Sequence, residues 1–404
     1  MNPNAPAFVP SGWLPAEHAH FLHLTPQEQQ RVHESMQALQ ALQQLPHAGA
    51  RTPRIAALAA GLPPKLLNHV LQRLASASPA EAAKVSRWAC LVADVCGHRP
   101  RVHTRIGKVR SVLQRVRKAM DDSIVGQEQA KRALLHTCAH AVQCNNAPAR
   151  ALCLVGAPGV GKTSLARAAF GTGLGLPFAV VPMGGNGGGS LLHGHSFTYE
   201  SAQPGAVAEL LAQSADGRGV LLCDEIDKLS DSAHGAEIQS CLLHLLDRTQ
   251  NDQFQDRYLG SLAAVDASRI IFVFTMNDPA KVSPVLLDRM TITQVDGYTV
   301  EMRKQLLQRN IIPRYLREAR MPNEAVSDEA LAALSMAGGP ELCGARAAER
   351  AVQHMVDSAL LSRLTAPRAK APCLDAARAR AAVTQSERSC AQHAVSDAAA
   401  LMYR

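Results

Sequence analysis

The sequence predicts an α/β fold, a parallel sheet with helices on both faces, set between two all-helical regions. Three observations predict it. Five short apolar runs, at 151–155, 178–183, 219–223, 269–274 and 291–295, alternate with helical segments, the pattern of a parallel sheet. The first run leads into Gly156-Ala157-Pro158-Gly159-Val160-Gly161-Lys162-Thr163, a GxxxxGK[ST] phosphate-binding loop (P-loop) between a strand and a helix. No strand pattern precedes residue 150, and only helical patterns are visible from 300 to 365.

Taken in chain order, residues 1–25 are Pro-rich and read as an irregular tail. Residues 26–46 repeat apolar positions at helical spacing. Residues 54–75 read as two helices broken by Gly61, Pro63 and Pro64, and the helical pattern continues through 79–95 and 105–119. The expected division is a tail over 1–25, a helical N-terminal domain over 26–119, a large α/β domain over 120–298, a helical lid over 299–365 and a C-terminal tail over 366–404. The last segment is Ala- and Arg-rich and reads as a short helix or a loose tail.

The 404 residues suffice for two or three domains. Apolar residues make up 47% and aromatics 4%; alanine and leucine fill the gap, so a helix-rich chain is expected. No apolar run is long enough to span a membrane, and MNPNAPAFVPSGWLP lacks the basic-then-apolar pattern of a secretory signal. The ten cysteines form no CxxC pair. Cys153 and Cys223 sit inside apolar runs and read as small buried hydrophobes, which fits a reduced, cytoplasmic setting.

Net charge is +8 and unevenly placed: from Arg99 to Lys118, RPRVHTRIGKVRSVLQRVRK holds eight Lys or Arg and no acid. Such a run suits nucleic-acid phosphates, a solvated helix face or an acidic neighbouring subunit. IAALAAGLPPKLLNHVL has the spacing of either a helix-turn-helix or a plain helical hairpin. His18, His20 and His23 lie close together, but no Cys or acid pattern completes a metal site.

The P-loop glycines, Gly156, Gly159 and Gly161, with Pro158 and Val160 between them, let backbone N–H groups close around phosphates at a helix N-terminus. Lys162 reaches the β- and γ-phosphates of ATP, Thr163 holds Mg²⁺, and Ser164 follows on the same turn. The run at 219–223 ends in Asp224-Glu225, placing acids beside the phosphate crevice. Asp224 suits Mg²⁺, and Glu225 suits orienting and deprotonating the attacking water. Asn277 follows the run at 269–274 and suits a hydrogen bond to the γ-phosphate or the water; Asp278-Pro279 after it also fits a turn. Arg289 offers a cation for transition-state charge. Arg346 offers a second, though Arg350 competes for that role by position alone.

These motifs together resemble the AAA+ family, in particular the ATPase module of Lon proteases. LCLVGAPGVGKTSLARA, LLHGHSFTYESAQPG, LLCDEIDKLS, LLHLLDRTQNDQFQDRYL and VLLDRMTITQVDGYT are similar to Lon segments in order and spacing, as are IVGQEQAKRAL and LQRLASASPAEAAKVSRWACLVADV upstream. The resemblance covers about residues 70 to 360. It implies a homohexameric ring driven by ATP and Mg²⁺ that draws polypeptide through a central pore. It maps Asn277 to sensor 1, Arg289 to a trans-acting arginine finger, Arg346 to sensor 2 and Tyr199 to the aromatic of the pore loop. Glu200 stands where Lon has an aliphatic residue, and no segment resembles the Lon peptidase domain or its serine–lysine dyad. The expected function is an ATP-dependent protein remodeller without its own protease. The alternatives are a nucleic-acid-associated motor, or a regulatory or defence ATPase acting on a partner protein.

Overall fold

The computed structural model describes residues 21–32, 57–58, 60–97, 106–143, 151–184, 189–199, 201–229, 233–321, 325–338, 344–365 and 374–388. Each of the five apolar runs forms a strand: β1 (Ala151–Val155), β2 (Phe178–Pro182), β3 (Gly219–Asp224), β6 (Ile270–Met276) and β7 (Thr291–Gln294). All pair in parallel, in the order β2-β3-β6-β1-β7. The three inner strands are buried along almost their whole length. That is why they read as unbroken apolar runs and not as an alternation. A small antiparallel pair, β4 (Phe254–Gln255) with β5 (Ala264–Val265), is an addition that no sequence pattern announced.

Helices cover both faces, and the pleat sorts the side chains between them. Ala151, Cys153, Val155, Leu221, Cys223, Phe272 and Phe274 face one apolar cluster. Leu152, Leu154, Val220, Leu222, Ile271 and Val273 face the other. The first cluster is completed by α1 (Pro64–Ser76) and α2 (Ala82–Cys96), which contact each other and contribute side chains such as Leu71 and Val92 to it. α1 starts at Pro64, whose missing N–H costs nothing in a first turn. Gly61 just before it takes φ +64°, so the turn read from Gly61, Pro63 and Pro64 is present. Ala57, Leu67 and Val70 are all buried, so packing accounts for the spacing that also suits a helix-turn-helix.

The second cluster holds α3 (Ile106–Ser123), α4 (Glu128–Gln143) and the C-terminal helices. α3 runs across residues 119–120, and its Val116 and Met120 share the core with Leu152 and Leu154. Between β1 and β7 the chain carries α5 (Lys162–Ala166), α6 (Ser190–His193), α7 (Ala206–Ala212), α8 (Ala233–Leu246) and α9 (Pro284–Leu287). Beyond β7 come α10 (Val300–Leu306), a π-type turn (Leu307–Ile311), α11 (Ile312–Glu318), α12 (Asp328–Ser335) and α13 (Arg346–Thr365). Residues 376–388 form a further helix. Of the expected helix over 26–46, residues 26–32 are described and helical. Of the expected tail, residues 21–22 are helical, with Phe21 buried in the core. His18, His20, Glu200 and residues 99–105 of the basic run lie outside the described residues.

Candidate nucleotide site

The register of the sheet builds the site. Val155 pairs with Met276, and Cys223 with Phe274. The loops leaving β1, β3 and β6 therefore emerge side by side at one edge. The P-loop follows β1, turning through Gly159 (φ +79°) and Gly161 (φ +91°), a left-handed region that glycine enters without strain. It opens onto α5 (Lys162–Ala166). Asp224 and Glu225 end β3, and Asn277 follows β6.

Hydrogen bonds join these three loops. Lys162 Nζ donates to Asn277 Oδ1 at 2.9 Å and to the carbonyls of Gly156 and Ala157 at 2.7 and 3.0 Å. Thr163 Oγ1 donates to Asp224 Oδ1 at 3.1 Å. The Thr275 hydroxyl donates to that same oxygen and accepts the Glu225 N–H at 3.0 Å. Burial pulls the Lys162 ammonium below its ordinary pKa, against the upward pull of Asp227 and Asp224. An anionic ligand compensates such a buried cation.

Glu225 sits at φ +58° and ψ +49°. That left-handed conformation costs a non-glycine residue roughly 1–2 kcal/mol and is a form of strain concentrated at functional sites. Its carboxylate accepts from Lys228 Nζ at 2.7 Å. Asp227 was not singled out from the sequence. Its Oδ2 accepts the N–H groups of Asn277 and Asp278 at 3.1 and 3.2 Å, and its buried Oδ1 has no hydrogen-bond partner. Its position in DEID, two residues past Glu225, was the available signal.

A cleft of about 380 Å³ adjoins the P-loop, lined by Ile124, Gly161, Ser164, Tyr298, Asn310 and Arg317 among others. Its size is that of a small-molecule site. Gln127, at φ +60°, exchanges hydrogen bonds with the backbone of Asp296, two residues before the cleft residue Tyr298. On the other side the chain before α13 presses on the P-loop. Ala345 N–H donates to Gly159 C=O at 3.0 Å, and a Cβ at Gly344 would lie 2.3 Å from Pro158 O. Arg346 follows, its Cγ 3.0 Å from where a Gly159 Cβ would stand. Arg350 is exposed on the same helix. Of the two arginines, Arg346 is the one against the loop.

Arg289 does not join this cluster. Its Nη1 donates to Leu243 C=O at 2.7 Å and lies 3.6 Å from Asp247 Oδ2. Tyr199 is 66% exposed on a loop outside the nucleotide cleft. Within the basic run, Arg115 donates to Gly173 C=O and Arg117 pairs with Asp121 and Glu128. These two cations are spent within the fold.

Residues 152–297 match the family model described as "ATPase family associated with various cellular activities (AAA)". The central region is an AAA ATPase module. Its relatives include a Lon protease homolog of Acanthamoeba polyphaga mimivirus, 33% identical over 52% of this chain and 20% of the relative. The peroxisomal Lon protease homolog 2 of Rattus norvegicus is 36% identical over 55% of this chain and 26% of its own. The Lon protease of Rhizobium meliloti is 32% identical over 56% and 28%. The chain thus spans about a quarter of the length of these relatives, and the AAA module is the shared part. Among the described residues no helix is long and apolar enough to cross a membrane, and no group of His, Cys, Asp and Glu forms a metal cluster.

Proposed function

We propose that the chain is an ATP-hydrolysing, Lon-like motor that assembles into a hexameric ring and remodels polypeptide in the cytoplasm. The observation that supports the ATPase part of this reading is the hydrogen-bonded junction of Lys162, Thr163, Asp224 and Asn277, beside a nucleotide-sized cleft and with the Arg346 stem against the P-loop. Thr163 Oγ1 and Asp224 Oδ1, 3.1 Å apart, supply the hard oxygen donors that Mg²⁺ prefers. A Mg²⁺ ion held by these two oxygens would supply positive charge beside the phosphates of ATP. The P-loop N–H groups and Lys162 bind the phosphates. Asn277 and Glu225 orient the attacking water, and Glu225 takes its proton. Arg346 adds positive charge from the lid, and Arg289 supplies the remaining cation to a neighbouring subunit. Residues 26–119, 120–298 and 299–365 serve as N-terminal domain, motor domain and lid.

The trans assignment gives the test. Lys162→Ala lacks phosphate binding but still offers Arg289. Arg289→Ala binds ATP but offers no finger, a loss on the order of 10³–10⁵ in rate. Mixed and allowed to exchange subunits, the two inactive variants recover part of the ATPase activity. A mixture that stays inactive, with exchange verified by labelled subunits, overturns the ring mechanism.

A further inference from the structure

Nucleotide chemistry does not explain the aromatic cluster beneath the loop that carries Tyr199. That loop leaves the fold at Gly194 and returns at Gly205. At its neck, His195 N–H donates to Gln203 C=O at 3.0 Å, and Gly205 N–H donates to Asp256 Oδ2 at 2.8 Å. Asp256 is fully buried, and its second oxygen accepts from the N–H groups of Tyr258 and Leu259. A Cβ at Gly205 would lie 2.1 Å from Leu192 O, so only glycine fits there.

The far part of the loop is held from α1 and α2. The Phe197 ring meets two cations, Arg73 of α1, whose guanidinium carbon is 4.0 Å from the centroid, and Lys84 of α2, whose Nζ is 4.5 Å from it. Trp88, fully buried, meets the same ring edge-on at 5.9 Å, and Tyr258 lies at 5.4 Å. Lys84 Nζ also donates to the carbonyls of Phe197 and Tyr199, at 2.7 and 2.5 Å. One ammonium therefore fixes the main chain on both sides of Thr198, and a cation over an aromatic face adds to the attraction. The Tyr199 side chain itself remains exposed.

We propose that Lys84 is a positioning residue: with Arg73 and Phe197 it clamps the loop to the N-terminal hairpin and holds the Tyr199 ring out toward an incoming polypeptide. The clamp gives α1 and α2 a role in substrate grip. It rests on the reading of Tyr199 as a substrate contact.

The test uses the full chain, assembled with ATP, as parent, Lys84→Met, Lys84→Arg and Tyr199→Ala. Three quantities are measured: amide hydrogen exchange across 194–205, ATP turnover, and unfolding of a fluorescent protein bearing an unstructured tail. Lys84→Met keeps the aliphatic stem and loses the donor. Its loop amides are expected to exchange on the order of tenfold faster, and its unfolding rate to fall at least about fivefold. ATP turnover stays within about twofold, because Lys84 touches no part of the nucleotide site. Lys84→Arg, still a donor and a cation, falls between the two. Unchanged exchange in Lys84→Met overturns the clamp. Faster exchange with undiminished unfolding overturns its positioning role. Unfolding by Tyr199→Ala at the parent rate overturns the reading of Tyr199, separately from what exchange says of the clamp.

Discussion

In the proposed roles, Lys162 meets phosphate charge that exists before any bond breaks, whereas Glu225 acts on water mostly as the bond breaks. Lys162→Ala is therefore expected to abolish binding of a fluorescent ATP analogue. Glu225→Gln is expected to bind it normally and lose turnover; hydrolysis at the parent rate would remove Glu225 from the role of base. Asp227 would support the same proposed chemistry at one remove, because its carboxylate holds the backbone N–H groups of Asn277 and Asp278. Asp227→Asn loosens that hold, and small displacements of a catalytic group can cost about 10²-fold. Turnover is expected to fall at least about tenfold while nucleotide affinity barely changes, as parallel steady-state and equilibrium titrations would show. That Lys162, Thr163 and Asp224 lie at one place in the fold was legible in the sequence, because each sits in a local pattern, a loop or a strand end. Asp227 and Thr275 were not. Their partners lie some fifty residues away on a neighbouring strand, and only the sheet order brings them together.

Elements carry the site through two junctions. Where the chain before α13 meets the P-loop, Gly344 leaves no room for a side chain. Overpacking of this kind costs roughly 1–3 kcal/mol, so Gly344→Ala is expected to weaken nucleotide binding by about tenfold; an unchanged dissociation constant would show that the contact yields freely. Between α3 and α4, Asp121 accepts from buried Lys131 at 2.7 Å and from Arg117 at 2.9 Å. Burial pushes the Asp121 carboxyl up, but those two donors outweigh it and leave its pKa below 3.8. A depressed folded-state pKa stabilises above the unfolded value, and the stability is lost as pH falls through the folded one. Asp121→Asn is thus expected to lower the urea unfolding free energy at pH 7, and the gap should close below about pH 4. With Asp121 43% exposed, solvent screening holds the effect to about 1 kcal/mol or less. The five parallel strands were readable because inner strands are apolar without interruption. The β4–β5 pair was not, since two residues per strand cannot display a period.

At the scale of the whole molecule, Arg289 reaches Leu243 and Asp247 and makes none of the hydrogen bonds of its own P-loop cluster. If it serves a neighbour, ATPase activity per subunit should climb with protein concentration as rings form and collapse on dilution, in step with mass measured by light scattering. Flat specific activity across a change in mass would contradict a finger acting in trans. The order of strands in the sheet was not written in any local pattern, nor was the seating of α1 and α2 against the Tyr199 loop. Phe197 lies more than a hundred residues from Arg73 and Lys84, and each is unremarkable alone. The pleat of the sheet has a wider consequence. Successive residues of β1 and β3 belong to opposite apolar clusters, one shared with α1 and α2, the other with the C-terminal helices. Substitutions on one side share few partners with those on the other, so their free energies should add, whereas pairs within a side should couple. Leu71→Ala combined with Val352→Ala is expected to be additive within about 0.5 kcal/mol, and Leu71→Ala with Val92→Ala is not. If the Tyr199 loop does grip a substrate, the side that seats it and the side that carries the C-terminal helices are separated by a single layer of backbone, and each can be altered with little effect on the packing of the other.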